Sequence, residues 1–340
     1  MVMKYNKKFN VGILGAGSWG GTIAWLIAKK GININLWTFS REEYNHLTKT
    51  KTLLRPLNTK LSKYIQPTMD LKKIANENNI IIFAVPASAF ESTSRKLKKH
   101  KVNKNTIILS ATKGIIGENG ISPSEILKKY FPQNKIAVLS GPNIALDVMS
   151  SSPIVSVIAS KDIKTANILQ ELISSENFRI YINNDITGIE ISGALKNVIA
   201  IASGISDGFG FKISTKSALI SRGLIEIARI ALKKGGKLKT LLSSACIGDL
   251  IATCCSPDSR NYKVGYQLGK GQNLKTILEK LGQVAEGVET VKAMCKFSKR
   301  YKISCPIAEV VYDTVVKKMK PRQALKKLLK RPLPKYEIQI

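Results

Sequence analysis

Apolar and polar positions follow two different patterns along the first half of the chain. Short apolar runs, often β-branched, predict buried strands, and stretches in which apolar residues return every three to four positions predict helices. The predicted strands are Asn10–Leu14, Ile32–Trp37, Ile80–Val85, Thr106–Ser110, Lys135–Leu139, Ile154–Ile158 and Phe178–Ile182, with helices at Ser18–Lys30 and Ile163–Ser174. Strands joined by helices pair in parallel, so this half predicts a doubly wound, mainly parallel sheet.

The first predicted strand runs directly into a glycine-rich turn. Gly15, Gly17 and Gly20 spell GxGxxG between that strand and the first predicted helix. The first glycine allows a tight turn, the second lets a ligand approach the backbone, and the third lets the helix pack closely on the sheet. Free N–H groups at the start of the helix suit a pyrophosphate, so the segment predicts dinucleotide binding. A glycine-rich turn without a ligand is the alternative.

From about residue 185 the helical pattern continues and the strand pattern almost disappears. The predicted helices are Ile186–Ile205, Thr215–Lys233, Leu274–Leu281, Thr290–Tyr301 and Ile307–Lys318. A chain of 340 residues is longer than one core usually supports. We therefore predict an α/β Rossmann-like dinucleotide-binding domain over residues 1–184, followed by an all-α domain over residues 185–340 that binds the substrate and carries the catalytic residues.

Charge is the unusual global property, with 54 basic residues against 23 acidic ones and a net charge of +31. Such a balance can indicate binding to nucleic acid or to an anionic membrane surface. Here the basic residues are spread along the chain, and their densest stretch, residues 317–335, keeps apolar residues at helical spacing. We therefore expect solvated basic faces that favour small anionic ligands, and no nucleic-acid site.

Several other classes of protein are not expected. No apolar run approaches the roughly 20 residues of a membrane span, and the first ten residues lack the apolar core of a secretory signal. Five cysteines without a CxxC pair indicate reduced thiols in a cytoplasmic-type compartment, or in the plastid stroma if the chain is organelle-encoded. With only two histidines, we expect no metal site.

Lys196 is the candidate residue with the most unusual surroundings. It is the only charged residue between Glu190 and Asp207, in a predicted apolar helix. Burying an unpaired ammonium is costly and lowers its pKa, so such a lysine is usually paired or used, for example as a proton shuttle. The alternative is a lysine that reaches the surface from the polar face of the helix, and the residues alone leave both interpretations open.

Further candidates lie at predicted strand ends and helix starts. Lys113 precedes Gly114 at the carboxyl end of a predicted strand, where doubly wound sheets bind ligands, although a surface lysine is the commoner alternative. Ser259 is a candidate N-cap. Arg260 and Asn261 then fall in the first turn of a helix, where N–H groups and a guanidinium suit a phosphate.

Eight segments together resemble the bacterial and plastid type of NAD(P)-dependent glycerol-3-phosphate dehydrogenase. They read VPASAF, SATKG, LSGPNIA, GALKNVIAIASGISDG, IGDLIATC, SRNYKVG, GQVAEG and CPIAEVVY, and the likeness extends from Gly15 to Leu333. The resemblance implies reversible oxidation of sn-glycerol 3-phosphate to dihydroxyacetone phosphate, which supplies glycerol 3-phosphate for phospholipid synthesis. A homodimer is common in this family.

The resemblance also implies roles for individual residues. Lys196 would be the general acid/base that exchanges the proton of the C2 hydroxyl, with Asp249 orienting its head group. Substrate contacts would come from Lys113, Gly141, Asn143, Lys196, Asp249, Ser259, Arg260 and Asn261, although Asn143 stands where the family usually has Ser or Thr. Besides the three glycines, cofactor contacts would come from Ser18, Trp19, Lys113, Ala145, Arg260, Val284 and Glu286.

The residues after the second predicted strand bear on which dinucleotide is used. An acid that binds the ribose 2′-hydroxyl of NAD normally lies there, but Thr38 follows Trp37 and Arg41 lies three positions further on. We therefore expect NADPH to be preferred over NADH. Two alternatives stay open: a related nicotinamide-dependent hydroxyacid reductase, and a basic surface-binding protein with a vestigial nucleotide fold.

Overall fold

The chain forms two compact units in a computed structural model that describes residues 9–117, 120–282, 284–332 and 335–336. An α/β unit contains the described residues up to 112 together with residues 123–139 and 143–186. A helical unit contains the described residues from 187 onward. It also includes two earlier segments, Lys113–Ser122 and Ser140–Pro142, which lie at or just after the ends of two strands of the sheet.

Strands and helices alternate along the α/β unit, except that β3, β4 and β5 follow one another directly. Its elements are β1 (Asn10–Leu14), α1 (Ser18–Ala28), β2 (Asn33–Trp37), α2 (Arg41–Thr50), β3 (Thr52–Leu53), β4 (Thr59–Lys60), β5 (Ile65–Thr68), α3 (Leu71–Glu77), β6 (Ile80–Phe83), α4 (Ala87–Lys98), β7 (Ile107–Ser110), α5 (Pro123–Tyr130), β8 (Lys135–Ser140), α6 (Ala145–Met149), β9 (Ile154–Ser160), α7 (Ile163–Ile173) and β10 (Phe178–Asn183).

Eight of the described strands form one sheet in the order β10-β9-β8-β7-β6-β1-β2-β5. The pairs β1–β2, β1–β6, β2–β5, β6–β7, β7–β8 and β9–β10 are parallel. The chain builds the sheet outward from β1 in one direction and then in the other, which places the switch point beside β1. The predicted doubly wound, mainly parallel sheet is therefore confirmed.

The central strands are apolar because helices cover both faces of the sheet. Every residue of β6 is buried, as are four of the five residues of β1. All seven predicted strands are present, each with ends within two residues of the prediction. The prediction missed β5, where Pro67 interrupts the apolar pattern. A proline is tolerated there because β5 is an edge strand.

The helical unit contains the remaining helices. They are α8 (Ile186–Gly208), α9 (Ile213–Lys233), α10 (Leu238–Leu241), a π-helical turn (Ser244–Gly248), α11 (Asp249–Cys255), α12 (Arg260–Gly269), α13 (Leu274–Leu281), α14 (Glu286–Arg300), α15 (Pro306–Val315) and α16 (Pro321–Leu329).

Helix α8 is the central helix of this unit. Among the described helices it alone is long and apolar enough to cross a membrane, so the expectation that no apolar run reaches that length was wrong. The most apolar 18-residue window of α8 is 100% buried inside the protein. Its composition is thus explained by burial on all sides, as expected for a helix at the centre of a helical domain.

Glycines allow α12 to pack unusually close to α8. A Cβ at Gly204 of α8 would lie 2.2 Å from the carbonyl oxygen of Tyr262, and one at Gly265 of α12 would lie 2.0 Å from that of Ile201. No larger residue fits either position without moving a helix. The close contact therefore fixes the start of α12 relative to the middle of α8.

Candidate active site

Lys196 is buried in α8 and paired. Its side chain is 7% exposed, and Nζ donates hydrogen bonds to Asp249 Oδ1 (2.5 Å) and Thr253 Oγ1 (2.6 Å). The alternative of a lysine that reaches the surface is therefore wrong. Because its charge is neutralised locally, Lys196 can stay in an apolar helix without the full cost of desolvation.

Asp249 bridges two lysines, one on each carboxylate oxygen. It begins α11 and is 2% exposed, with Lys196 Nζ on Oδ1 and Lys113 Nζ 3.0 Å from Oδ2. The Thr253 hydroxyl donates to the Asp249 carbonyl oxygen at 2.6 Å, one helical turn away. This bond holds the Thr253 oxygen in place to accept from Lys196.

Lys113 also contacts the segment that follows β8. Its Nζ donates to the carbonyl oxygen of Gly141 at 2.6 Å, and Gly141 has a φ of +148°, which favours glycine. Burial lowers the pKa of Lys113 to about 7; the Asp249 carboxylate raises it and the nearby Lys196 ammonium lowers it further. Lys113 can therefore change protonation state near neutral pH.

The cluster of Lys113, Lys196 and Asp249 carries a net charge of +1 when both lysines are protonated. Charges interact strongly at a site so little exposed to water. Such a cluster favours an anionic ligand and stabilises negative charge that develops on a reacting oxygen. A protonated lysine held in fixed geometry can also donate the proton.

The start of α12 lies in the same helical unit. The Ser259 hydroxyl accepts a hydrogen bond from Tyr262 N at 3.3 Å, which confirms Ser259 as the N-cap. Arg260, the first residue of the helix, is exposed. Asn261 is buried, and its Nδ2 donates to Asn197 Oδ1 at 3.0 Å while its Oδ1 accepts from Gly287 N at 2.9 Å. Asn261 thus joins α12 to α8 and α14.

The glycine turn of the α/β unit has the geometry that its sequence predicts. Gly15 has a φ of +110°, and a Cβ there would lie 2.7 Å from the Ala84 carbonyl oxygen. A Cβ at Gly20 would lie 1.9 Å from the Gly15 carbonyl oxygen. At Gly17 a Cβ would meet nothing within 4 Å, so this glycine borders open space at the N-terminus of α1.

Comparison with known proteins identifies the family to which this chain belongs. Residues 10–166 match the N-terminal domain of NAD-dependent glycerol-3-phosphate dehydrogenase, and residues 185–326 match its C-terminal domain. The chain belongs to the glycerol-3-phosphate dehydrogenase family. It is accordingly an NAD(P)-dependent oxidoreductase.

Individual members of the family are similar over almost their whole length. Glycerol-3-phosphate dehydrogenase [NAD(P)+] of Thermoanaerobacter sp. (strain X514) is 38% identical over 321 residues, covering 94% of this chain and 97% of that protein. The Bacillus subtilis (strain 168) enzyme of the same name is 38% identical over 327 residues, 94% of each chain. The crystal structure of the Coxiella burnetii dehydrogenase superimposes with a TM-score of 0.92 at 32% identity, covering 95% of this chain and 99% of that one.

The turn after β1 fits the dinucleotide that this dehydrogenase family uses. The N-cap residue of α1 is Gly17, which has no side chain to cap the helix, and a Cβ there would meet nothing within 4 Å. The N–H groups of the first turn of a helix have no partner within the helix. A pyrophosphate would accept from those N–H groups, and a side chain at position 17 would extend into its place. Gly15, Gly17 and Gly20 would therefore hold the cofactor.

The other predicted contacts of the dehydrogenase stay predictions. Ser18 and Trp19 begin α1, where the Trp19 ring packs edge-on against Phe178 at 6.4 Å. Asn143 is buried in the α/β unit. The remaining predicted cofactor residues lie at or near helix starts: Arg41 at α2, Ala145 at α6, Arg260 at α12, and Glu286 at α14, with Val284 just before it and 41% exposed.

Sequence reasoning missed two residues that hydrogen-bond to predicted site residues. Thr253 accepts from Lys196, and Asn197 accepts from Asn261. Each had a usable signal: Thr253 lies four residues after Asp249, on the same face of a helix, and Asn197 is a polar neighbour of Lys196 in an apolar segment.

Proposed function

We propose that this dehydrogenase interconverts sn-glycerol 3-phosphate and dihydroxyacetone phosphate, with Lys196 as the general acid/base. The observation that carries the proposal is the buried Asp249 carboxylate, which is shared by the buried Lys196 and the partly buried Lys113. That arrangement supplies an oriented proton donor together with a net positive charge. Both are needed to reduce the ketone of a phosphorylated substrate.

Lys196 exchanges the proton at the substrate oxygen. When bound, the nicotinamide supplies or accepts a hydride at C2. In reduction, the Lys196 ammonium donates a proton to the C2 oxygen as negative charge develops there, and in oxidation the neutral amine takes the proton back. Asp249 and Thr253 accept two of its three N–H bonds, so the third can point to the substrate.

The substrate phosphate is bound by positive charge and by N–H groups. Arg260 supplies a guanidinium at the start of α12, where the first-turn N–H groups add partial positive charge. Lys113 orients the substrate from the other side of Asp249, with its own position fixed by the Gly141 carbonyl. Asn143, Ser259 and Asn261 complete the proposed substrate contacts.

Substrate specificity separates this proposal from a hydroxyacid reductase. The nicotinamide absorbance assay would compare dihydroxyacetone phosphate with unphosphorylated dihydroxyacetone and with a 2-keto acid at equal concentration. We expect turnover of the phosphorylated ketone only, because the cationic groups bind its phosphate. Comparable rates with the keto acid would contradict the proposal.

For the cofactor, we propose that Arg41 favours NADPH over NADH by pairing with the 2′-phosphate. Arg41 is exposed at the first position of α2, directly after the turn that ends β2. Arg41→Ala should raise the KM for NADPH more than the KM for NADH. Equal changes for the two cofactors would contradict this role.

We further propose that residues 1–184 provide most of the dinucleotide site and residues 185–340 most of the substrate site. The enzyme would be a cytoplasmic homodimer that supplies glycerol 3-phosphate for phospholipid synthesis. Exposed apolar side chains in the helical unit, such as Ile213 (70%) and Leu242 (74%), support self-association. The described cysteines are free thiols, which suits a reducing compartment. Light scattering on the eluting protein would test the dimer, and a monomeric mass at micromolar concentration would contradict it.

A further inference from the structure

Glu43, in the first turn of α2, reaches back to the end of β2. Its Oε2 accepts a hydrogen bond from Thr38 Oγ1, and Thr38 is 1% exposed. The backbone N–H of Ser40 donates to the same Thr38 oxygen at 3.1 Å, and the Ser40 hydroxyl accepts from Glu43 N at 3.2 Å. The turn is closed by its own side chains, which hold the Glu43 carboxylate at the strand end.

This strand end lies beside the glycine turn. Gly15 N donates to the carbonyl oxygen of Trp37 at 2.9 Å, and Thr38 is the next residue. In dinucleotide-binding sheets the residue at the end of this strand, roughly 20 positions after the glycines, is commonly an acid that accepts from the ribose 2′-hydroxyl. Here the strand supplies Thr38, and the carboxylate bonded to it comes from α2.

We propose that Glu43 is a specificity-determining residue that replaces the acid missing from β2 and enables the enzyme to bind NADH. This inference rests on the proposed function as an NAD(P)-dependent dehydrogenase. A carboxylate can accept several hydrogen bonds, and none of the described residues donates to Glu43 Oε1. The 2′-hydroxyl of NADH could donate to it, whereas the 2′-phosphate of NADPH would be repelled.

Glu43 and Arg41, both in the first turn of α2, then have opposite effects on the preference between NADH and NADPH. Arg41 attracts a 2′-phosphate, and Glu43 accepts from a 2′-hydroxyl, so the balance of the two sets the preference. The competing explanation is that Glu43 only stabilises the start of α2, as acids at the third helical position often do. A purely structural role would loosen the turn that also carries Arg41, so its loss would weaken NADPH binding at least as much as NADH binding.

Direct binding without substrate distinguishes these roles. The Kd values of NADH and NADPH would be measured by quenching of tryptophan fluorescence for the wild type, Glu43→Gln and Glu42→Gln. Glu42 is the matched control, because it is the exposed acid one position earlier and its replacement removes the same charge. For Glu43→Gln we expect about tenfold weaker NADH binding and tighter NADPH binding, because a charged acceptor is lost. For Glu42→Gln we expect the two Kd values to change by the same factor.

Equal changes for both cofactors in Glu43→Gln, or weaker binding of NADPH, would overturn the inference. If Glu43→Gln does not fold, Thr38→Val replaces it, since this nearly isosteric change removes the hydroxyl that holds Glu43. It should shift the ratio of Kd values in the same direction, and an unchanged ratio would also overturn the inference. A wild-type protein that binds neither dinucleotide would instead contradict the proposed function.

Discussion

At the scale of single residues, the site depends on one carboxylate shared by two ammonium groups. Asp249 is 2% exposed and contacts Lys113 and Lys196 through different oxygens. A buried ion pair adds little net stability compared with apolar residues, but removing one partner leaves an uncompensated charge. Asp249 is therefore the residue on which both the stability and the chemistry of the site depend.

Replacing Asp249 tests this dependence. Asp249→Asn keeps the shape of the side chain and leaves two ammonium groups without a counterion, so we expect the free energy of unfolding to fall by about 3–5 kcal/mol. Denaturant titration would measure the change. Adding Lys113→Met to this variant should restore part of the loss, because one of the two repelling charges is removed. A double variant as unstable as the sum of the single variants would contradict the shared-counterion account.

The pKa of Lys113 predicts a pH dependence of stability. In the folded protein it is lowered to about 7 from the ordinary 10.5, so between these values the unfolded chain binds a proton that the folded protein lacks. The free energy of unfolding should therefore rise with pH across this window, by at most about 1.4 kcal/mol per pH unit. Denaturant titrations of wild type and Lys113→Met would measure it. If the free energy of unfolding changed with pH equally in the two proteins, the pKa of Lys113 would not be lowered in the folded protein.

Single residues were predictable when their immediate neighbours made them unusual. Lys196 is a lone charge in an apolar helix. The turn from Gly15 to Gly20 is recognisable because its geometry requires glycine at fixed positions. Asp249 has no such local signal, because its main partner lies 53 residues earlier in the chain. Glu43 was overlooked for a similar reason: the pattern predicts an acid on β2, but the structure supplies one from the following helix.

At the scale of elements, strands and helices with continuous patterns were predictable. The buried strands are apolar throughout because both faces of the sheet are covered. The two-residue strands β3 and β4 are too short to show a pattern, and Pro67 interrupts the apolar pattern of β5. The close packing of α8 on α12 could not be predicted, because the sequence does not show which glycines face another helix.

That close packing can be tested through Gly204. A Cβ there would lie 2.2 Å from the Tyr262 carbonyl oxygen, so Gly204→Ala should push α12 away from α8 and cost about 1–3 kcal/mol of stability. Because α12 carries Arg260, the KM for the phosphorylated substrate should rise as well. Gly248→Ala is the control for stability, since its Cβ would meet the nearest side-chain atom at an ordinary 3.6 Å. Equal melting temperatures for the two variants would contradict tight packing at Gly204.

At the scale of the whole molecule, the net charge of +31 is the dominant feature. Like charges spread over a surface destabilise the compact state, and they also attract small anions from solution. The composition does not determine the fold, which follows the pattern of apolar residues. It does predict how the protein responds to ionic strength.

Salt should stabilise the protein. Raising sodium chloride from about 0.05 M to about 0.5 M shortens the screening length and weakens the self-repulsion, so the melting temperature should rise. Differential scanning calorimetry would measure the shift. Sodium chloride is the appropriate salt because sulfate and phosphate also strengthen hydrophobic burial. A melting temperature that falls with added chloride would contradict net self-repulsion.

The central claim is that Lys196 exchanges the proton, and the most direct test measures kcat for dihydroxyacetone phosphate reduction by Lys196→Ala and Lys113→Ala. Removing Lys196 leaves Asp249 paired with Lys113, so the variant should stay folded while kcat falls by about 10²–10⁴-fold. A small alkylamine added to the assay should restore part of this loss. Lys113→Ala should mainly raise the KM. The account would be contradicted if Lys196→Ala kept a nearly normal kcat while the kcat of Lys113→Ala fell sharply. That result would assign the proton transfer to Lys113.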